Sequence, residues 1–363
     1  MLYSLFAVSE SGHGGLFNLF HYLTFRSGGA CLTALVISLS LGQPFIRYLR
    51  RIQRDGQPIR ELGPARHLTE KAGTPTMGGV MIFLSLIAST LLWADLRNGF
   101  VWAVLFVSSA FFAVGFADDY LKLSRRNSHG VSKKMRLGCE FLAALIAGYW
   151  LQSLMPVGMQ NALAIPFIKN LLIPLGLAFP IFAMLTIAGF GNAVNFTDGL
   201  DGLAIVPTLI ATLVFGVITY LVGNRVFAEY LQIHFIPGTG ELCVFCAALV
   251  GAGLGFLWFN AQPAEVFMGD TGSLLLGGAL GAIAVAIKHE IVLCIVGGLF
   301  VVETISVVIQ VFWFKRTGRR IFLMAPIHHH FEKKGWSESK IVVRFWIIAF
   351  VLGLIGLSTL KLQ

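Results

Sequence analysis

The sequence predicts an all-α integral membrane protein with about ten transmembrane helices in a single domain, residues 1–363. The first reason is composition, since 56% of the 363 residues are hydrophobic and only 12% are charged, about half the charged fraction of an average soluble protein. The second reason is that apolar runs of about 18 or more residues, each long enough to cross a bilayer as a helix, recur along the whole chain.

The candidate spans are ten apolar segments, predicted to within a few residues at each end. In chain order they are residues 27–46, 77–94, 99–117, 137–155, 174–193, 203–222, 241–259, 273–288, 291–313 and 341–360. Residues 1–26 have room for a short interfacial helix before the first span. Because the segments between spans are too short for a soluble domain, we expect one polytopic membrane domain.

Lysine and arginine are distributed unequally over the loops. The loops 47–75, 118–136 and 314–340 hold 20 of them, whereas the loops on the other side and the two chain ends hold six. Cytoplasmic loops are enriched in Lys and Arg, so we predict that these three loops face the cytoplasm and that both termini are periplasmic. The net charge of +9 then suits a membrane surface and anionic substrates, and no nucleic-acid partner is expected.

Five cytoplasmic loops follow from this arrangement, and three of them contain conspicuous carboxylates: Asp118, Asp119, Asp198, Asp201 and Asp270. Two adjacent carboxylates at a membrane surface repel each other unless they share a proton or a cation. Oxygen ligands of this kind suit Mg²⁺, which often bridges substrate phosphates. Glycines follow Asp198 and Asp201 and predict a turn. The alternatives are a hydrated helix end for the first pair and an Asx turn for the second.

The first cytoplasmic loop ends in the segment Lys71-Ala-Gly-Thr-Pro-Thr-Met-Gly-Gly79, which contains Thr76. Glycine and proline can shape a tight loop whose backbone N–H groups bind an oxyanion, with Lys71 as the counter-charge. The alternative is the start of a helix, with Thr74 as its cap and Pro75 in its first turn.

The fourth and fifth loops add further polar groups. The fourth runs from Asn260 through Phe267, which can stack on a nucleobase or anchor the loop in the membrane, to Asp270 between two glycines. The fifth contains three consecutive histidines, His328, His329 and His330. Three neighbours cannot all face one way on a helix or strand. Their spacing argues against structural zinc and favours phosphate contacts or proton transfer, with an accidental polar loop as the alternative.

Together, these residues describe a site for phosphoryl transfer. Carboxylates bind Mg²⁺, and lysine and histidine bind phosphate oxygens, so we predict Mg²⁺-assisted phosphoryl transfer at the cytoplasmic interface. One carboxylate lies elsewhere, since Glu303 is near the middle of the ninth span. A carboxylate at that depth is costly and marks function by default, unless it is protonated or paired within the bundle, and Glu303 is left unassigned.

Four segments resemble the motifs of the polyprenyl-phosphate N-acetylhexosamine-1-phosphate transferases: Asp118-Asp119, Asn195-Phe-Thr-Asp-Gly-Leu-Asp-Gly202, Phe267-Met-Gly-Asp270 and Pro326-Ile-His-His-His330. The resemblance runs from about Phe17 to the C-terminus with the ten spans in register, and is strongest to the branch that uses UDP-MurNAc-pentapeptide. It implies that undecaprenyl phosphate attacks the β-phosphate of this donor, that lipid I forms and UMP leaves, and that Mg²⁺ is required. It also implies a homodimer in the bacterial inner membrane.

The resemblance also implies roles for individual residues. The catalytic residues would be Asp118, Asp119, Asp270, His328, His329 and His330. Among them, Asp270 would ligate Mg²⁺ and the Asp118-Asp119 pair would engage the lipid phosphate. The substrate-binding residues would be Lys71, Thr76, Lys122, Lys134, Asn195, Asp198, Asp201, Asn260 and Phe267. Whether Asp118 acts as a base, or whether an aspartyl-phosphate forms, stays open. Gly251-x-x-x-Gly255 and Gly277-x-x-x-Gly281 are predicted to pack helices within or between subunits.

Three other classes are weighed against this prediction. A transporter would carry its carboxylates near mid-bilayer on interrupted helices, whereas here all but Glu303 are expected at one interface. An intramembrane aspartyl protease would need a GxGD segment inside a span, and Val266-Phe-Met-Gly-Asp270 lacks the first glycine and lies in a loop. A CDP-alcohol phosphotransferase has a longer Asp series with an Ala-Arg pair, which Asp198-Gly-Leu-Asp-Gly202 lacks.

Overall fold

Apolar helices dominate the structure, a computed structural model that describes residues 2–3, 16–53, 73–125, 130–168 and 171–361. The helices are α1 Leu23–Ile52, α2 Gly79–Trp93, α3 Gly99–Ser124, α4 Lys133–Leu154, α5 Phe179–Thr197, α6 Ile205–Val222, α7 Arg225–Leu231, α8 Leu242–Asn260, α9 Gly269–Ala286, α10 Glu290–Val296, α11 Gly298–Thr317, α12 Ile327–Lys333 and α13 Glu338–Ser358. A short antiparallel hairpin, β1 Ala162–Ala164 and β2 Leu172–Pro174, departs from the all-α prediction.

The predicted spans agree with these helices to within about five residues at each end, except that α1 and α3 continue six and seven residues beyond the predicted ends at 46 and 117. Among the described residues, nine helices are long and apolar enough to cross a bilayer, and α2 is a shorter apolar helix of 15 residues. A helix of that length rises by about 22 Å, which is less than the ~30 Å hydrocarbon core. The helical membrane class is therefore confirmed, whereas a full crossing by α2 stays a prediction.

Two details differ from the predicted spans. The span predicted at 291–313 is two helices, α10 and α11, which meet at Gly297. Glycine has a low helix propensity, and the consecutive Gly297 and Gly298 explain the break. Before the first span, Leu16–His21 form a short 3₁₀-helix where an interfacial helix was expected, and residues 4–15 lie outside the described residues.

Helix α9 is the centre of the bundle, where it packs against α2, α3 and α5. Glycines let these helices approach closely. A Cβ on Gly277 of α9 would lie 2.2 Å from the carbonyl oxygen of Phe190 on α5, and a Cβ on Gly251 of α8 would lie 2.0 Å from that of Cys31 on α1. Both glycine-rich segments therefore pack helices within one chain.

An ion pair fastens the end of the bundle at which α1, α3 and α8 begin. Arg26 donates to the two carboxylate oxygens of Glu241 at 2.7 and 2.6 Å, and the N–H of Asp95 donates to the same carboxylate at 3.0 Å. The opposite ends of these helices lie at residues 52, 124 and 260, next to the loops that the sequence marks as functional. The candidate site is therefore built at that second end.

Candidate active site

Three carboxylates converge where α3 approaches the start of α9. Asp118 and Asp119 lie on α3, and Asp270 lies in the first turn of α9. One carboxylate oxygen from each lies within 4.8 Å of the other two. The approach is close because Gly115 faces the backbone of Asp270, where a Cβ would lie 2.2 Å from the carbonyl oxygen. Asp118 and Asp119 were expected at the end of the third span. Helix α3 instead continues to Ser124, more than one turn beyond them.

Lys122 is the cation at the centre of this carboxylate cluster. Its Nζ lies 2.6 Å from Asp118 Oδ2, 2.7 Å from Asp270 Oδ2 and 3.8 Å from Asp119 Oδ1. Asp118 and Lys122 are four residues apart on α3, so the helix itself brings them together. One ammonium therefore offsets part of the repulsion among three carboxylates.

Arg136, in the first turn of α4, is the second cation of the cluster. Its guanidinium donates to Asp270 Oδ2 at 2.9 Å and to the side-chain oxygens of Asn192 and Asn195 at 3.2 and 3.1 Å. Its Nε donates to Glu140 Oε1 at 3.2 Å, and Glu140 is fully buried. These contacts use the several donors of arginine, which a lysine could not reproduce.

Three residues of this network, Arg136, Glu140 and Asn192, were not predicted from the sequence to have a role in the site. Two spacings in the sequence indicate that these side chains could act together. Arg136 and Glu140 are four residues apart at the start of an apolar span, where a carboxylate needs a partner. Asn192 and Asn195 are three residues apart on α5, so both amides lie on one helix face.

Hydrogen bonds orient each carboxylate of the cluster. Asn195 Nδ2 donates to Asp270 Oδ1 at 2.6 Å. The backbone N–H and the hydroxyl of Thr271 both donate to Asp119 Oδ2, at 2.9 and 2.6 Å. The N–H of Val131 donates to Asp118 Oδ1 at 2.8 Å. The three carboxylates are thus held in fixed orientations by α3, α5, α9 and the segment before α4.

The segment 75–79 is bound to the start of α9. The N–H groups of Gly78 and Gly79 donate to the carbonyl oxygens of Phe267 and Met268 at 2.8 and 3.0 Å, and the N–H of Phe267 donates to Pro75 at 2.9 Å. Helix α2 begins only at Gly79, so the alternative in which Thr74 caps this helix is wrong. Pairing two loops in this way brings the segment beside the cluster.

Thr76 lies beside Asp119 within this segment. Gln53 clamps its backbone, accepting from the Thr76 N–H at 2.9 Å and donating to the Thr76 carbonyl at 3.2 Å. The buried Thr76 hydroxyl has no hydrogen-bond partner among the described residues. A Cβ placed on Gly269 would lie 2.8 Å from this hydroxyl and 2.4 Å from Asp119 Oδ2. The predicted oxyanion residue Lys71 lies outside the described residues.

The turn predicted after the fifth span is confirmed, because α5 ends at Thr197 and α6 begins at Ile205. Asn260 ties this turn to the fourth loop, accepting from the N–H of Gly202 at 3.0 Å and donating to the carbonyl of Val266 at 2.9 Å. Asp201 Oδ2 accepts from the N–H of Ala264 at 3.2 Å. Asn260 and Asp201 therefore hold the third and fourth loops together, and neither residue belongs to the cluster of Asp118, Asp119 and Asp270.

Three more predicted residues lie around this region. Asp198 directly follows α5 and is half-buried. Phe267 is also half-buried, and its backbone is engaged by the segment 75–79. Lys134 is exposed in the first turn of α4. Its position leaves the ammonium in solvent at the edge of the site.

The three histidines lie on α12 and have three different partners. His328 Nδ1 lies 3.1 Å from Glu303 Oε1, and His329 Nδ1 lies 2.5 Å from Glu332 Oε2. His330 Nδ1 accepts from the N–H of Leu323 at 3.1 Å. The prediction that the three rings face different directions is confirmed.

Glu303, unassigned from the sequence, is fully buried and caps α12. Its Oε2 accepts from the N–H of Ile327 at 2.8 Å, while its Oε1 contacts His328. Seven residues later on α11, Gln310 binds the backbone of Ile321 and Phe322. Seven helical residues span about 10 Å, so the segment 321–327 runs back along α11. Glu303 and Gln310 of α11 therefore satisfy backbone groups of this irregular segment.

His328 also joins the fifth loop to the turn after α5. A Cβ on Gly199 would lie 2.4 Å from His328 Nε2, so the ring is packed against that turn. Trp346 on α13 donates to the carbonyl of Gly202 at 3.1 Å. The site thus has two parts. One is the carboxylate cluster, and the other is the turn 198–204, which His328 of the fifth loop and Trp346 of α13 contact.

Two family models match this chain. The model of glycosyl transferase family 4 matches residues 101–288, more than half of the chain, and includes Asp118, Asp119 and Asp270. Signature 1 of phospho-N-acetylmuramoyl-pentapeptide-transferase matches residues 71–83, the segment that contains Lys71 and Thr76.

Full-length relatives agree with these matches. Proteins named phospho-N-acetylmuramoyl-pentapeptide-transferase from Gluconobacter oxydans and Gluconacetobacter diazotrophicus are 75% and 74% identical over 363 residues, covering 100% of both chains. The protein of that name from Ruegeria pomeroyi is 60% identical over the same length and coverage. The chain therefore belongs to glycosyl transferase family 4 and, within it, to the phospho-N-acetylmuramoyl-pentapeptide transferases.

Proposed function

We propose that the chain transfers phospho-MurNAc-pentapeptide from UDP-MurNAc-pentapeptide to undecaprenyl phosphate, with lipid I and UMP as products. This is the first membrane step of peptidoglycan synthesis. The observation that carries the proposal is the cluster of Asp118, Asp119 and Asp270 around Lys122 in a chain of this family. Phosphoryl transfer depends on positioned charges of this kind, since the reacting groups are anionic.

The donor set of the cluster fits Mg²⁺. Carboxylate oxygens are the hard ligands that this ion prefers, and the three carboxylates present theirs within 4.8 Å of one another. Lys122 and Arg136 are two positive charges against these three carboxylates and the Glu140 carboxylate that Arg136 also contacts, which leaves net negative charge for a cation. Asp270 would be the principal ligand. When bound, Mg²⁺ would neutralise charge on the donor diphosphate.

Side chains of the protein would bind and orient the donor diphosphate and the acceptor phosphate. Lys122 can exchange a carboxylate for a phosphate oxygen, because its ammonium has three donors. The buried Thr76 hydroxyl can donate to a substrate oxygen beside Asp119. Asp118 and Asp119 would engage the acceptor phosphate. A phosphate monoester is already largely ionised near neutral pH, so its attack does not require a strong base.

We place the site at the cytoplasmic face of the bacterial inner membrane, with both termini periplasmic. The loops 47–75, 118–136 and 314–340, which hold 20 Lys and Arg, adjoin the helix ends that build the site. The substrates support this side, because a nucleotide-activated donor is a cytoplasmic compound. We also propose that the protein acts as a homodimer, as the family resemblance implies.

Selection of the sugar requires groups that reach beyond the phosphates. The fifth loop offers Lys333 and Lys334, both exposed, and Trp336. A muramyl peptide has carboxylates that cationic side chains suit, whereas UDP-GlcNAc has none. A charge-assisted contact contributes ~1.5–3 kcal/mol, so we expect a preference for UDP-MurNAc-pentapeptide that exceeds roughly tenfold in kcat/KM.

The experiment is turnover of a UDP-sugar panel by purified protein with undecaprenyl phosphate in detergent, measured as UMP release. Release without a sealed membrane distinguishes an enzyme from a transporter. Chelator should abolish turnover and Mg²⁺ should restore it. The rate of UMP release should fall at least ~10²-fold in Asp270→Asn, whereas Asp95→Asn at the far end of the bundle should keep the native rate. Equal turnover of UDP-MurNAc-pentapeptide and UDP-GlcNAc would refute the proposed muramyl substrate, while the assignment of the chain to its family would stand.

A further inference from the structure

The far end of α9 contains charged side chains that the proposed reaction does not use. Helix α9 begins beside the carboxylate cluster, and its 18 residues separate its two ends by about 27 Å. Residues 287–289, which include Lys288 and His289, join α9 to α10, and Glu290 is the first residue of α10. They lie outside the helices that are long and apolar enough to cross a membrane, Gly269–Ala286 and Gly298–Thr317, although the span predicted from the sequence reached residue 288.

Lys288 is buried without an acceptor. It is only 2% exposed, which is rare for lysine, and its Nζ lies 3.4 Å from the centroid of the Phe179 ring. Within the described residues, this ammonium has no hydrogen-bond partner. Its backbone φ of +58° is uncommon for a residue with a side chain. Buried donors without acceptors cost free energy, so the site is suited to an anion that accepts from Nζ.

A narrow cavity lies beside this lysine. Its walls are Ala164, Ile165, Pro166 and Ile168 of the β1–β2 hairpin, together with Ile233, His234, Lys288, His289 and Val292. Its inner part admits a group about the size of one water molecule, which is also the size of one phosphate oxygen. The cavity therefore offers space for about one oxygen atom beside Lys288.

The cavity lining favours an anion, because Lys288 is the only Lys, Arg, Asp or Glu among the described residues that line it, and Glu290 is not part of that lining. Burial lowers the pKa of Lys288, and the nearby Glu290 raises it. Burial raises the pKa of Glu290, whose two carboxylate oxygens are also buried without a hydrogen-bond partner among the described residues. Burial also lowers the pKa values of His234 and His289, so both rings are mainly neutral at neutral pH.

Apolar side chains are exposed in the hairpin that lines the cavity and in α7, which precedes the lining residue Ile233 in the chain. Phe167 and Ile168 of the hairpin are 48% and 54% exposed. Val226 and Tyr230, on the α7 helix that leads into Ile233, are each 73% exposed. A buried cation flanked by exposed apolar side chains matches the two parts of a lipid, its phosphate and its acyl chains.

We propose that this cavity binds the phosphate group of a phospholipid, with Lys288 donating to a phosphate oxygen and the hairpin and α7 contacting the acyl chains. The site is separate from the carboxylate cluster and does not depend on the proposed transferase reaction. Free inorganic phosphate offers the same oxygen atoms, and the exposed apolar residues favour the lipid over it.

The test measures ligand binding to the full-length protein in detergent by the shift of its thermal unfolding temperature. The probes are short-chain phosphatidylglycerol, inorganic phosphate and a short-chain diacylglycerol of equal chain length. We expect saturable stabilisation by phosphatidylglycerol alone. Equal stabilisation by inorganic phosphate would make a free anion the ligand, and equal stabilisation by diacylglycerol would show that the headgroup is not recognised. Either result overturns the proposal, as does no saturable binding.

Two variants and a matched control assign the binding to Lys288. Lys288→Met should weaken phosphatidylglycerol binding at least about tenfold, since it removes a charge-assisted contact. Arg225→Gln, an exposed basic residue on α7, should bind as the native protein does. Unchanged binding by Lys288→Met would overturn the proposal. If Lys288→Met fails to fold, Glu290→Gln decides: it removes the opposing carboxylate and should bind at least as tightly, and weaker binding would refute the site.

Discussion

Replacing Arg136 by methionine tests the network that holds Asp270. The guanidinium donates four hydrogen bonds, at 2.9 Å to Asp270, 3.1 and 3.2 Å to Asn195 and Asn192, and 3.2 Å to Glu140. Because Glu140 is fully buried, its carboxylate would lose its charged partner, which costs about 3–5 kcal/mol. We expect the unfolding temperature of Arg136→Met to fall by about 5 °C or more.

A double variant separates charge pairing from simple loss of packing. Arg136→Met combined with Glu140→Gln leaves no unpaired buried charge, so the double variant should unfold at a higher temperature than Arg136→Met alone. Arg125→Met, an exposed arginine at the end of α3, should change stability by less than about 0.5 kcal/mol. A double variant less stable than Arg136→Met would refute the reasoning.

Activity gives an independent measure of the same network. Arg136→Lys keeps the charge, but one ammonium cannot reach all four acceptors. Losing a charge-assisted bond that orients Asp270 costs ~1.5–3 kcal/mol, so UMP release should fall at least about tenfold. A native rate in Arg136→Lys would show that the orientation of Asp270 does not depend on the guanidinium.

Three further predictions concern the loops. In a background without the native cysteines, an impermeant thiol reagent should label Asn224→Cys in intact cells and spare Lys333→Cys; the reverse pattern would contradict the orientation. Gly199→Ala places a methyl group 2.4 Å from His328 Nε2, so UMP release should fall at least about tenfold, and a native rate would remove this contact from the site. Glu303→Gln replaces one acceptor of the α12 cap by a donor, which costs about 1–3 kcal/mol in thermal unfolding; an unchanged unfolding temperature would refute the cap.

The sequence predicted the residue types of the site better than their partners. Asp118, Asp119 and Asp270 stand out because carboxylates are rare in so apolar a chain, and they converge within 4.8 Å. The role of Asn260 as a tie between loops was not predicted, because its partners are backbone groups of Gly202 and Val266. Backbone groups leave no signature in a sequence, so only the tertiary structure shows where they lie.

The sequence by itself determined the helical membrane class and the positions of the spans. Both depend on contiguous residues, because a spanning helix satisfies its backbone internally and needs only a sufficient apolar length. Tertiary structure alone decided that Arg136 contacts Asp270, 134 residues away, and that Glu303 meets His328 across a returning loop. Such pairings depend on which helix faces approach and on how far a loop folds back, and no local pattern of residues encodes either.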